Sequence, residues 1–62
     1  MTQVLIHCKP CIKDYIKLLD VKYTETHDEV DIIVNNIDEL DDEELVEHYN
    51  INYDDVNCIE LA

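Results

Sequence analysis

Hydrophobic residues recur along this chain in two rhythms, and the switches between them outline a fold. From Thr2 to Cys8 the period is two, with Val4, Ile6 and Cys8 on one side, as in a strand with one buried face. Pro10 then suits the first turn of a helix, where a missing N–H is not needed. Ile12, Tyr15, Ile16 and Leu19 follow at i, i+3, i+4 and i+7 with Lys13 and Lys17 outside the stripe, which predicts a helix over residues 10–19. Alternation returns at residues 21–26 and again at 30–35, where Val30, Ile32 and Val34 share a face. His27-Asp28-Glu29 between them reads as the turn of a hairpin. Asn35-Asn36 ends that strand. Asp41 and Glu44 have the spacing of a capping box, and Leu40 and Leu45 that of a hydrophobic staple. A second helix is therefore expected over 42–49 with Leu45, Val46 and Tyr49 facing inward. Asn50 to Asp55 is a connector of turn-forming residues in a chain without glycine, and 56–61 is a last short strand.

The order β-α-β-β-α-β predicts one α+β domain over residues 1–62. Its expected form is the split βαβ, or ferredoxin-like, arrangement: an antiparallel four-stranded sheet with two helices on one face. Val4, Ile6, Ile32 and Val34 would meet the helix stripes. Leu5 and Ile33 would lie on the open face, where a central apolar pair suits a homodimer contact. A chain of 62 residues buries only about 60% of its unfolded surface, so its stability margin is thin. At 47% hydrophobic it is still too apolar for a disordered acidic tail.

Charge changes the picture more than composition does. The net charge is −12, there is no arginine, and the four lysines all precede Tyr23. Direct binding to nucleic acid or to an anionic membrane is therefore not expected, and a basic partner is. No apolar run reaches the 18 or more residues of a membrane helix, and the N-terminus lacks a signal-peptide layout. The expected location is the cytoplasm of a bacterial host cell. Three cysteines, an odd number, do not suggest a disulfide framework.

One short motif carries chemistry, Cys8-Lys9-Pro10-Cys11 at a strand-to-helix junction, where a helix N-terminus lowers thiol pKa values. In element order and in this pair the chain resembles heavy-metal-associated metallochaperone domains. That resemblance implies Cu(I) or Zn(II) held by Cys8 and Cys11. The same pair also resembles the thioredoxin-like redox proteins, a third reading. Against both stands a plain structural role, because Cys8 continues the Val4–Ile6 core face and a free cysteine packs as a small hydrophobe. A site built from His7, Cys8, Cys11 and Cys58 would need the first and last strands to be neighbours and matches no known zinc spacing. With no glycine and no serine, phosphate loops and nucleophile elbows are absent, and the EF-hand pattern is missing. No enzyme and no cofactor is expected.

The densest feature is the stretch from Asp38 to Glu47, where seven of ten side chains are carboxylates. On a helix rising 1.5 Å per residue, Asp41, Asp42, Glu43, Glu44 and Glu47 give about one charge per 2 Å, close to the one per 1.7 Å of duplex DNA. In size and charge the chain resembles the small acidic proteins that phages encode to occupy DNA-binding surfaces of host proteins, such as nucleoid protein HU, DNA glycosylases, restriction enzymes or RNA polymerase. The resemblance implies a non-enzymatic DNA mimic that blocks a basic DNA-binding host protein. The residues expected to meet that partner are Glu39, Asp42, Glu43 and Glu47 as one row, extended by Asp54 and Asp55.

Overall fold

A computed structural model describes residues 2–62. It is a small α+β structure with one four-stranded antiparallel sheet and two helices. The strands are β1 (Thr2–Cys8), β2 (Lys22–Glu25), β3 (Val30–Asn36) and β4 (Val56–Leu61), and the helices are α1 (Lys13–Leu18) and α2 (Asp42–His48). The sheet order is β2-β3-β1-β4, so the two most apolar strands are central. Pairing of Val4 with Val34, Ile6 with Ile32 and Cys8 with Val30 puts all six on one side, where all are buried. Ile16 of α1 and Leu45 and Val46 of α2 join them in a single core. Ile51, in the connector that follows α2, is also buried there.

The first predicted helix is divided. Pro10–Ile12 forms a 3-10 turn and α1 begins only at Lys13. Lys9, at the N-cap of that turn, offers no side-chain acceptor, so nothing local favours a full α-turn there. The helix ends a residue early as well, because Leu19 turns extended (φ −78°, ψ 144°) and packs against the core. Six residues are too few for a helix stable by itself, so α1 depends on Ile16 being held in the core. Strand β2 is shorter than its alternating pattern, 22–25 against 21–26, and all four of its residues are exposed on the sheet edge.

Without glycine, side chains do the turning. Thr26 closes the β2–β3 hairpin by donating its hydroxyl to Glu29 O (3.1 Å) and accepting from Glu29 N–H (3.0 Å). Asn36 clamps the approach to α2: its amide donates to Leu40 O (2.8 Å) and its carbonyl accepts from Leu40 N–H (2.9 Å). Asp41 is the N-cap of α2, as its spacing predicts, accepting from Glu44 N–H at 3.1 Å. The far end of α2 closes by a Schellman arrangement, with Asn50 N–H to Glu47 O (2.9 Å) and Ile51 N–H to Val46 O (3.1 Å). Asn50 takes the left-handed position (φ 59°) that glycine usually fills, and Ile51 and Val46 are both buried beneath it.

Candidate functional site

Two regions carry clustered ionisable groups, and they differ in kind. The first is the acidic surface of α2 and its flanks. Leu45 and Val46 turn inward, which leaves Asp42, Glu43, Glu44 and Glu47 exposed. Asp38, Glu39, Asp41 and Asp54 are exposed beside them. Among the described residues none of these carboxylates pairs with a lysine. Lys13 and Lys17 both reach Glu25 instead, at 3.8 and 3.9 Å. The neighbouring charges act on one another: the Glu44 carboxyl is pushed above its ordinary value by the charge of Asp41 first, then by desolvation, a hydrogen bond to Asp41 and the charges of Glu47 and Glu43.

One member of the expected helical row is placed elsewhere. Glu39 is not on the helix. It precedes the Asp41 cap, with a left-handed backbone (φ 52°) held by the Asn36 clamp. The i, i+4 row therefore consists of Glu43 and Glu47 alone, while Glu39 and Asp42 line a cleft of about 400 Å³ against the ends of β1 and β4. Asp54 is exposed in a second 3-10 turn, Tyr53–Asp55, capped by Asn52. Asp55 is only half-exposed and tied to the start of the first helical segment, its carbonyl accepting from Lys9 N–H (2.8 Å) and its carboxylate lying 3.7 Å from Cys11 Sγ.

The cysteine pair is split by burial. Cys8 is fully buried and lies 3.7 Å from Ile6 O, and burial, with the charges of Asp31, Asp55 and Glu29, pushes its thiol up to about 11. Cys11 is exposed. Among the described residues neither belongs to a group of three or more converging metal-ligand side chains. A thiol sealed in the core is closed to the incoming metal or disulfide that a metal-transfer or redox pair must meet.

The second region lies on the open face of the sheet, and no short-range spacing in the sequence marks it. His7, paired with Asp31 on one side and Cys58 on the other, stands two residues from Leu5 along β1. Its Nδ1 lies 2.9 Å from Asp31 Oδ1 and 3.5 Å from Glu29 Oε1, and its Nε2 lies 2.5 Å from Glu60 Oε1. An ionised carboxylate only accepts, so an arrangement with carboxylates at both ring nitrogens favours the doubly protonated imidazolium. Burial alone would lower the His7 pKa, but hydrogen bonds to Glu60 and Asp31 and the charges of Asp31 and Glu29 outweigh it, and the net shift is upward. A bulge builds this arrangement. Opposite His7–Cys8, β4 supplies Cys58 and Val56 as partners and leaves Asn57 as the extra residue. Val56 and Ile59 can thus both pack against the core, while Asn57 donates to Glu29 Oε2 at 3.0 Å and Cys58 stands beside His7. The alternation that put Leu5 and Ile33 on this face also puts His7 and Asp31 there, and that was the available signal. Leu5 and Ile33 themselves are half-buried and flanked in register by Glu60 and Lys22.

No helix among the described residues is long and apolar enough to cross a membrane. Comparison with protein-family models, with curated proteins and with solved structures finds no match to this chain.

Proposed function

We propose that this protein is a non-enzymatic acidic inhibitor that occupies the phosphate-binding surface of a basic DNA-binding protein in a bacterial cytoplasm. The observation that carries the reading is the unneutralised field over α2: exposed carboxylates that no lysine meets among the described residues, dense enough that their charges push the Glu44 carboxyl up, while Lys13 and Lys17 reach Glu25 instead. A surface of this kind gains most from a partner that brings the missing cations. The contact set is Asp42, Glu43 and Glu47, with Glu39 at the cleft and Asp54 beyond the helix; Asp55, tied to Lys9, is a marginal member. The scaffold supporting it is a ferredoxin-like split βαβ, a reading supported by the antiparallel order β2-β3-β1-β4 and by one core shared with both helices.

Capture from a bacterial lysate with a salt-gradient elution tests the class of partner, and a basic DNA-binding protein released by salt is expected. With that partner in hand, competition against labelled duplex DNA tests the surface. Exposed pairs are each worth about 0–1 kcal/mol, so Asp42→Asn alone weakens displacement modestly. Neutralising Asp42, Glu43 and Glu47 together weakens it about tenfold or more. Affinity falls steeply with salt, since the field reaches only about 8 Å at physiological ionic strength. A folded triple variant that still displaces DNA at the original affinity ends the proposal.

A further inference from the structure

The open face of the sheet holds a donor set that the acidic surface does not use. His7 and Cys58 are register partners on paired strands, and Glu60 follows two residues on along β4. A ring nitrogen, a thiol sulfur and a carboxylate oxygen of these three residues all lie within 4.8 Å of one another. We propose that His7, Cys58 and Glu60 bind one divalent cation of the zinc class, with Asp31 orienting the imidazole.

Four features converge on this. The donors are a nitrogen, a sulfur and an oxygen, a mixed set that favours zinc over the all-oxygen cages of calcium and magnesium. Metal-binding histidines commonly give their second N–H to a carboxylate, which fixes the ring. Here Asp31, only 14% exposed, accepts from Nδ1 at 2.9 Å and leaves Nε2 directed at Glu60. Bond lengths of about 2.0–2.3 Å around a tetrahedral zinc put neighbouring donors roughly 3.3–3.7 Å apart. The three donors, within 4.8 Å of one another, need only small side-chain adjustments to reach that spacing: His7 and Cys58 are carried by paired strands, and Glu60 is 60% exposed, free to move back from its 2.5 Å contact. Finally, Asp31, Glu29 and Glu60 surround a single imidazole, so the face gathers more negative than positive charge. Cys58 and Glu60 are exposed, which leaves the fourth position to water or to a donor from another molecule.

The test uses the full chain, reduced, with Zn(II) or Co(II) alone titrated against a chromogenic chelator in excess Mg(II). One equivalent of Zn(II) is expected to bind, and the Co(II) form shows thiolate-to-metal charge-transfer absorption. Cys58→Ser lowers affinity at least tenfold and abolishes that absorption, and His7→Gln lowers affinity comparably. Cys11→Ser leaves both unchanged. Cys58 is exposed and outside the core, so its serine variant keeps the fold and decides the matter even if His7→Gln does not. Binding that Mg(II) competes away, or that Cys58→Ser leaves intact, reduces the site to the diffuse cation atmosphere of an acidic chain and overturns the proposal. The triple Asp42/Glu43/Glu47 variant retains Zn(II), so this result and the fate of the inhibitor reading are separate.

Discussion

The acidic surface of α2 and the open face of the sheet use the same side chains to opposite effect. On α2 the carboxylates are exposed, they follow one another along the chain, and no lysine among the described residues meets them. On the sheet, Asp31, Glu29 and Glu60 come from two strands and a turn to converge on one half-buried imidazole. A carboxylate in the first setting mainly repels its neighbours, and one in the second is held by a directed hydrogen bond where water is scarcer. The contrast teaches that density of charge and organisation of charge are separate properties. Density makes a diffuse, salt-sensitive field suited to a broad partner surface. Organisation makes a site.

The largest expected effect that sharpens this comparison is on stability. Asp31→Ala removes the acceptor of His7 Nδ1, and loss of a charged, largely buried hydrogen bond costs about 1.5–3 kcal/mol. Glu43→Ala, at an exposed site with no ion pair, changes stability by less than about 0.5 kcal/mol. Urea unfolding of the two variants measures the difference, and equal losses would erase the distinction between the faces.

A smaller effect should appear in the pH dependence. With a chelator present, His7 has a folded pKa raised above 6.5, so the folded state holds its proton more tightly than the unfolded chain does. The stability this contributes is complete below about pH 6.5 and is lost as pH rises through the folded value. His7→Gln should flatten the decline of unfolding free energy above pH 6.5. A decline of the same slope in the variant would mean that other groups set it.

The smallest effect concerns Glu39. A left-handed backbone costs a non-glycine residue about 1–2 kcal/mol, and asparagine tolerates it better. Glu39→Asn should therefore stabilise the fold by about 0.5–1 kcal/mol, read as a higher unfolding midpoint. If Glu39 belongs to the partner surface, the same variant should bind the partner slightly less well. Gain in stability with no loss of binding would remove Glu39 from that surface and leave the helical residues as its whole.

Much of the architecture was legible because it is written locally. The alternation of Val4, Ile6 and Cys8 and of Val30, Ile32 and Val34 marks two strands and their buried faces without reference to anything distant. Asp41 as the cap of α2, the hairpin turn before Val30 and the turn chemistry of Asn50 and Asn52 follow from residue type and spacing over four or five positions. The division of the first helix was less legible. The stripe from Ile12 to Leu19 promises a helix, but packing of Leu19 on the core ends it at Leu18.

The amino-acid sequence by itself determined the periods, the order of the elements and the one-sided charge, since each depends on neighbours within about a turn of chain. Only the tertiary structure decided where those charges meet. His7 and Asp31 are 24 residues apart, and His7 and Glu60 are 53 apart. The bulge at Asn57 exists because β4 must satisfy its ladder to β1 while burying both Val56 and Ile59, a conflict that arises only once the strands pair. Core packing likewise sets Cys8 apart from Cys11, sealing one on the buried face of β1 and leaving the other exposed in the 3-10 turn, although they stand three residues apart in the chain. Periodicity tells each residue which side of its own element to take; pairing between distant strands chooses the company it finds there.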